Sequence, residues 1–214
     1  MDAKATGHFL DHAAVRAFIA RSHRHRFAPK QTILQAGDSP ESLYLILEGS
    51  VSVMAEDEDG REMVLAYRYP GEFFGEMCLF PELNERSAMV RTRGEVWVSV
   101  MPYADFRAFC GQFPDIMFVL AGQLALALRD TSRRLADLNF LDVSGRVERA
   151  LQDLAAQPDA QPVEGGFRVL ISRQELGRIA GCSREMAGRV LKLLEQDGLI
   201  RSDGRRILVL KPDG

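Results

Sequence analysis

The first hundred residues alternate short apolar stretches with turn residues, a pattern typical of antiparallel β-structure. Apolar segments such as 43–47 and 96–100 are separated by turn signals that include Asp59-Gly60 and Pro70-Gly71. Short strands at regular spacing favour an antiparallel barrel or jelly roll. The N-terminal part of the chain is therefore predicted to be a β-domain.

A helical pattern begins at Pro114. Proline is favoured in the first turn of a helix, and the apolar positions that follow are separated by three, four or seven residues, as in a coiled coil. These seam positions are Met117, Leu120, Leu124, Ala127, the polar Thr131 and Leu138. The pattern predicts a long dimerisation helix over about residues 114–138, and hence a homodimer.

Two capped helices separated by a short turn follow near the C-terminus. Ser172-Arg173-Gln174-Glu175 is a capping box that begins the first helix, and Ser183 begins the second after a turn at Gly181-Cys182. Gly198 is placed to end the second helix, and Asp203-Gly204 favours a tight hairpin turn. Together these elements predict a winged helix-turn-helix.

The first turns of the second helix present side chains suited to reading DNA bases. Arg184 and Arg189 can each donate two hydrogen bonds to guanine, and Glu185 can accept one from cytosine N4. The alternative is an ordinary solvated helix face, which the neighbouring cap, turn and wing disfavour. The predicted DNA contacts, including those to phosphates, are Ser172, Arg173, Ser183, Arg184, Glu185, Arg189 and Lys192.

The distribution of charge matters more than its total. The formal net charge is −3 and the isoelectric point is near 5.9, so overall composition does not indicate a nucleic-acid partner. Residues 143–214, however, contain 12 Lys and Arg against 10 Asp and Glu, which leaves the acidic excess in the first 142 residues. Phosphate contacts need a locally positive surface rather than a basic protein as a whole.

One segment of the β-region carries groups suited to an anion. A short helical turn is expected after Gly75, where backbone N–H groups would point outward, and Arg86 and Ser87 add a positive charge and a hydroxyl. Glu76 can accept a hydrogen bond from a ribose hydroxyl. The spacing alone also fits a surface ion pair between an arginine and a glutamate.

These motifs together resemble the cyclic-AMP receptor protein (catabolite activator) family of bacterial transcription regulators. The resemblance covers nearly the whole chain and includes Gly49-Ser50-Val51 and Phe140-Leu141-Asp142-Val143 besides the segments above. It implies an α+β fold with an N-terminal β-roll (jelly-roll) cyclic-nucleotide-binding domain, a long dimerisation helix and a C-terminal winged helix-turn-helix. The expected domains are residues 1–138, which include the dimerisation helix, and residues 139–214.

The resemblance also implies an effector, its site and two partners. Cyclic AMP is the expected effector, and the implied binding residues are Gly75, Glu76, Arg86, Ser87, Thr131 and Ser132. Of these, Thr131 and Ser132 would meet the base, one of them across the subunit boundary. The implied partners are a roughly palindromic double-stranded DNA and RNA polymerase, the latter at His23, His25, the acidic 56–59 turn and the 157–166 loop.

Several positions depart from the family pattern near the expected phosphate. Ala127 stands where cyclic-AMP-binding members usually carry a second arginine, and Met77-Cys78 replaces the more usual Leu-Gly. Met186-Ala187-Gly188 resembles a subgroup in which some members respond to cyclic di-GMP, although the Arg86-Ser87 pair, which that subgroup tends to lose, is retained. Control by cyclic di-GMP, or DNA binding without a ligand, is the alternative within the family.

Other functional classes fit less well. A nucleotide-metabolising enzyme is the alternative from another class, but the sequence shows no metal-ligand cluster and no evident nucleophile or base, so we expect neither enzyme activity nor a metal. No apolar run reaches membrane-spanning length and no signal-peptide core begins the sequence, which predicts a cytoplasmic protein without a membrane partner. The three cysteines are expected to be free thiols.

Overall fold

The computed structural model describes residues 9–80 and 85–210, which divide into two compact units. The first unit extends to Thr131 and the second begins at Ser132. The division falls inside one long helix, so that helix contributes residues to both units.

The first unit contains two antiparallel four-stranded sheets, with the strand orders β1-β8-β3-β6 and β2-β7-β4-β5. This is the antiparallel β-domain that the alternating sequence predicts. Its elements are α1 (Ala13–Arg21), β1 (His23–Phe27), β2 (Thr32–Leu34), β3 (Ser42–Glu48), β4 (Val51–Glu56), β5 (Glu62–Arg68), β6 (Phe73–Phe74), a 3-10 turn (Met77–Leu79), β7 (Met89–Thr92), β8 (Val96–Pro102), α2 (Tyr103–Gln112) and the first part of α3 (Asp115–Phe140).

The short strand β6 joins the two layers of the core. Successive side chains of a strand point to opposite faces, so Phe73 packs with Leu45 and the helices, while Phe74 packs with Ile46 among residues of both sheets. Phe18 of α1 meets Phe73 edge to face, with ring centroids 5.2 Å apart. Both faces of β6 are therefore packed in the core, and this anchors the start of the segment that follows at Gly75.

The helix α3 buries only its first turns against the β-domain, through Ile116, Val119 and Leu120. Leu120, which the sequence places in the dimer seam, instead belongs to the core of its own unit, so that assignment is wrong. Farther along, exposed or half-buried residues form a stripe in alternating steps of four and three. We call this the α3 stripe; its members are Met117, Ala121, Leu124, Leu128, Thr131, Leu135 and Leu138.

The second unit is a winged helix-turn-helix, as the caps and turns predict. Its antiparallel sheet has the order β11-β12-β10-β9, and its core includes Val147, Leu176, Leu191 and Ile207. The elements after α3 are α4 (Val143–Ala155), β9 (Gln161–Val163), β10 (Gly166–Leu170), α5 (Arg173–Ala180), α6 (Arg184–Gln196), β11 (Ile200–Asp203) and β12 (Arg206–Leu210).

Within residues 9–80 and 85–210, no single helix is long and apolar enough to cross a membrane. The helices α2 and α3 reach such a composition only as a pair, bent by 116°. Phe106 of α2 and Ile116 of α3 are both buried in the core of the first unit, which accounts for that apolar character.

Candidate effector and nucleic-acid sites

Arg86 is the one buried charged residue among the described residues of the first unit. Its side chain donates three hydrogen bonds: from Nη1 to the Gly75 carbonyl (2.9 Å) and the Tyr103 hydroxyl (2.7 Å), and from Nη2 to the Ser42 carbonyl (2.9 Å). Arg86 is only 6% exposed, and no carboxylate among the described residues forms an ion pair with it. A buried guanidinium surrounded by neutral acceptors is suited to receive an anion.

Gly75 is required at this site by both conformation and space. Its φ angle of +79° lies in the left-handed region that favours glycine, and a Cβ there would lie 2.8 Å from Arg86 Nη1. The 3-10 turn at Met77–Leu79 follows, with Glu76 at its start, as the sequence predicts for a helical turn after Gly75. The structure thus brings Gly75, Glu76 and Arg86 into one local site.

Tyr103 completes the arrangement around Arg86 and was not predicted from the sequence. It is the first residue of α2, its hydroxyl donates to the Gly75 carbonyl, and that hydroxyl accepts from Arg86. Burial raises the pKa of Tyr103 to about 12 despite the opposing effect of the nearby Arg86 charge. The phenol is therefore neutral at physiological pH.

The other predicted effector residues are placed differently. Ser87 is exposed, and its hydroxyl donates to the Met77 Sδ atom at 3.3 Å. Thr131 is exposed on α3 and donates to the Ala127 carbonyl one turn earlier (2.9 Å), a bond internal to the helix. Ser132 is exposed and is the first residue of the second unit. Among the six predicted effector residues, Gly75 and Arg86 are the only two that are joined to each other by a direct hydrogen bond.

The two sulfur-containing residues of the 3-10 turn contact the segment that carries Arg86. The Cys78 thiol donates to the Glu85 carbonyl at 3.3 Å, and Met77 accepts from Ser87. These side chains, which depart from the family pattern, therefore connect the turn to residues 85–87. The structure gives them a local role that the sequence alone does not reveal.

The helix-turn-helix is held by side-chain caps at both of its helices. Ser172 accepts from the Glu175 amide (3.1 Å), and Ser183 accepts from the Met186 amide (3.2 Å), as the capping pattern predicts. Gly181 ends α5 with a φ angle of +65°. The hydroxyls of Ser172 and Ser183 therefore act as acceptors that cap the two helices.

The predicted base-reading residues lie on the exposed face of α6. Its buried face consists of Ala187, Val190, Leu191 and Leu194. The opposite face leaves the predicted reading residues exposed, and Arg173 of α5 is exposed as well, with its side chain near Gly188 of α6. Within the described portion of the chain, neither Arg173 nor any of the cations on this face of α6 is in a salt bridge. The exposed predicted residues are Arg184, Glu185, Arg189 and Lys192.

Arg146 positions the turn between α5 and α6, a role that the sequence did not indicate. From α4, its Nε donates to the Ala180 carbonyl at the end of α5 (2.9 Å), and its Nη1 donates to the Leu141 carbonyl (3.1 Å). Carbonyls at the C-terminus of a helix lack intrahelical partners, and a cation there is favourable. Leu141 and Ala180 lie 5 and 34 residues from Arg146 in the sequence, and helix periodicity does not reveal the contact with Ala180.

The cysteines and histidines form no composite site in the part of the chain that the structure describes. Cys78, Cys110 and Cys182 are free, and burial raises the pKa of the Cys110 and Cys182 thiols. No group of three or more potential metal ligands occurs among these residues. His23 and His25 lie exposed on the edge strand β1.

Comparison with known families assigns both units. Residues 24–113 match the cyclic nucleotide-binding domain, and residues 145–214 match the Crp-like helix-turn-helix domain. The cAMP-activated global transcriptional regulator Vfr of Pseudomonas aeruginosa is 48% identical over 89% of this chain and 91% of its own length. The cAMP-activated global transcriptional regulator CRP of Salmonella typhimurium is 44% identical over 90% of this chain and 91% of its own length.

Solved structures agree with these matches. The c-di-GMP responsive global regulator CLP of Xanthomonas campestris is 40% identical, with a TM-score of 0.85 over 92% of this chain and 98% of that one. The CRP/FNR-family regulator TTHA1359 of Thermus thermophilus is 29% identical, with a TM-score of 0.76 over 88% of this chain and 94% of that one. Both comparisons confirm the resemblance drawn from the sequence. The chain therefore belongs to the CRP family of DNA-binding transcription regulators, which bind DNA as dimers and are not enzymes.

Proposed function

We propose that this protein is a homodimeric regulator whose binding to specific DNA is controlled by cyclic AMP bound around Arg86. The Arg86 guanidinium carries the proposal, because it is buried, hydrogen-bonded to neutral groups and unpaired with any described carboxylate. Burying a charge without a counter-charge is costly. A cyclic phosphate carries one negative charge and would supply the missing partner.

The remaining effector contacts are assigned to the other residues that the sequence predicts. Ser87 gives the phosphate a second donor once its hydroxyl rotates away from Met77, and Glu76 accepts from the ribose. Thr131 and Ser132 meet the base from α3, one of them across the dimer.

Cyclic AMP is favoured over cyclic di-GMP by two observations. The Arg86-Ser87 pair is retained, and the relatives of 48% and 44% identity are named as cAMP-activated. Cyclic di-GMP is the second candidate, because a structural relative of 40% identity is described as responsive to it. Ala127, where cyclic-AMP-binding members usually carry a second arginine, leaves Arg86 as the one arginine assigned to the phosphate.

On DNA, α6 of each protomer would enter a major groove of a roughly palindromic site. Arg184 and Arg189 are assigned to guanines and Glu185 to a cytosine, because all three are exposed on the face opposite the buried one. Contacts that position the phosphate backbone are assigned to Ser172, Arg173, Ser183 and Lys192. Helix capping uses the two serine hydroxyls as acceptors, so each hydroxyl still has its proton to donate to a phosphate.

The same proposal includes a second protein partner, the domain boundaries and the cellular location. We assign contacts with RNA polymerase to the exposed His23 and His25, to the acidic 56–59 turn and to residues 157–166, which the sequence predicts as a loop and which contain β9 in the structure. We take residues 1–138 and 139–214 as the functional domains and the cytoplasm as the location. Alanine substitutions at His23 and His25 that leave DNA binding intact should reduce transcription.

Calorimetric titration with cyclic AMP, cyclic GMP and cyclic di-GMP tests the effector assignment. Cyclic AMP should bind the natural protein, and Arg86→Gln should weaken that binding by roughly 10- to 100-fold, as expected for lost charge-assisted hydrogen bonds. Arg61→Gln, at an exposed hairpin position, is the matched control and should leave the affinity unchanged. Binding of cyclic di-GMP alone, or equal affinity of Arg86→Gln, would contradict the assignment.

A further inference from the structure

Gln123 connects α3 to the backbone that precedes the effector site. Its side-chain Oε1 accepts a hydrogen bond from the Phe73 amide (2.9 Å), and its Nε2 donates to the Gly71 carbonyl (2.9 Å). One side-chain amide thus pairs with two backbone groups of residues 71–73. We call this pair of hydrogen bonds the Gln123 clamp.

The clamp lies at the end of the buried face of α3. Ile116, Val119 and Leu120 pack against the core that contains Phe73, and Gln123 is three residues beyond Leu120 on the same side of the helix. Gly71 is buried and Phe73 is only 1% exposed. Buried backbone groups need hydrogen-bond partners, so the clamp cannot be lost without leaving two of them unsatisfied.

The same backbone is fixed from the opposite side by β3. The Gly71 amide donates to the Ile46 carbonyl (2.9 Å), and the Ile46 amide donates to the Glu72 carbonyl (3.0 Å). Residues 71–73 are therefore held between a strand and a helix. A shift of this segment has to move α3, stretch the clamp or disturb the pairing with β3.

Only Phe74 separates Phe73 of the clamp from Gly75, whose carbonyl contacts Arg86. Phe73 and Phe74 form β6, and the next carbonyl, that of Gly75, accepts from both Arg86 and Tyr103. Arg86 uses three of its five N–H donors, so the Nε hydrogen and one Nη2 hydrogen remain for an incoming phosphate. The Gly75 carbonyl therefore shares the guanidinium with a bound anion, and a movement of the guanidinium toward that anion acts directly on Gly75.

We propose that Gln123 is a positioning residue that couples occupation of the Arg86 site to the placement of α3, an inference that rests on the proposed function. The clamp makes β6 and α3 move together. A displacement of Gly75 is therefore transmitted to α3, the helix that carries the α3 stripe. An effector shifts a conformational equilibrium only by binding one arrangement better than the other. In this proposal α3 is the element whose placement differs between the two arrangements, and Gln123 connects it to the effector site.

The test measures the coupling between ligand and DNA rather than either affinity alone. DNA affinity is determined with and without saturating cyclic AMP, on a duplex selected from a random library with the natural protein. Gln123→Met removes both hydrogen bonds while keeping a similar side-chain length. Gln112→Met, at an exposed position of α2, is the matched control. Sedimentation and circular dichroism check the dimer and the fold.

We expect Gln123→Met to lower the cyclic-AMP-induced gain in DNA affinity by roughly tenfold, within the usual range of allosteric coupling. Its DNA affinity without cyclic AMP and its dimerisation should stay near those of Gln112→Met. Unchanged coupling in a folded dimer overturns the inference while leaving the proposed function intact. A natural protein that fails to bind cyclic AMP, or binds it without coupling to DNA, overturns both.

A second variant keeps the test decisive if Gln123→Met does not fold. Gln123→Glu retains the acceptor for the Phe73 amide but has no donor for the Gly71 carbonyl, so an intermediate loss of coupling is expected. Coupling equal to that of the natural protein would then overturn the role of the clamp. A merely structural glutamine would instead lower stability without changing the ratio of the two DNA affinities.

Discussion

A neutral phenol, rather than a carboxylate, holds Arg86 in place. The Tyr103 hydroxyl accepts from the guanidinium and donates to Gly75, so it fixes two members of the site without neutralising the charge. An aspartate in the same place would form an internal ion pair and compete with an anionic ligand. The choice of residue preserves a positive charge for an incoming phosphate.

The raised pKa of Tyr103 predicts a stability difference that depends on pH. Because the folded-state pKa of about 12 lies above the ordinary value of 10.0, the unfolded chain loses this phenolic proton first as pH rises. The free energy of unfolding therefore falls between pH 10 and 12 through this group. Tyr103→Phe removes the contribution of this phenol to the decrease in the free energy of unfolding.

Urea unfolding at pH 9 to 11 measures that contribution. The stability advantage of the natural protein over Tyr103→Phe should shrink as the pH rises, because only the natural protein loses stability through Tyr103. A difference that stays constant across this range would show that the folded-state pKa is not raised.

For single residues, the sequence identifies the charged groups more readily than it identifies their hydrogen-bond partners. Arg86 and Gly75 are recognisable because an arginine beside a serine and a glycine turn suggest anion binding. Tyr103 and the Ser42 carbonyl lie 17 and 44 residues from Arg86 in sequence, and only the β-fold brings them together. Thr131 is visible as a polar residue in an apolar seam, yet in the protomer its hydroxyl bonds within its own helix.

The helix-turn-helix depends on α4 as well as on its own caps. The serine caps and the Gly181 turn are local features, and the sequence therefore predicts them. Arg146 reaches from α4 to the end of α5, which restrains the turn before α6. The strands β9 and β10 were not predicted, because β9 has three residues and contains Pro162, which weakens the strand signal.

Arg146→Met should reduce both stability and DNA affinity, although Arg146 is not among the predicted DNA contacts. Loss of its bonds to Ala180 and Leu141 leaves two carbonyls without this partner, which should lower the free energy of unfolding by about 1–3 kcal/mol. Arg149→Met, on an exposed face of the same helix, is the matched control for lost charge. Denaturant unfolding and DNA titration should separate the two variants. Equal behaviour would contradict the positioning role.

At the scale of the whole molecule, the α3 stripe is a largely apolar row of residues that the protomer leaves exposed or half-buried. Periodicity alone does not choose between Leu120 and Ala121 as a seam position, because both are apolar and adjacent. Packing decides between them: Leu120 is 3% exposed within its own unit, whereas Ala121 is exposed. The stripe keeps the three- and four-residue steps of a coiled coil, so dimerisation would bury side chains that a lone protomer leaves in water.

Leu128→Glu should therefore dissociate the dimer while leaving each protomer folded. The substitution adds a charge at a site that is exposed in the protomer but would face its counterpart in the dimer, and it removes apolar burial of about 1.5–3 kcal/mol per side chain. Leu126→Glu is the matched control, because Leu126 is also exposed on α3 but lies outside the stripe. Sedimentation should give monomers for Leu128→Glu and dimers for Leu126→Glu, with similar circular dichroism. DNA affinity should fall only for Leu128→Glu, because one helix then binds each half-site without its partner. The reverse order of the two variants would show that α3 associates through a different face.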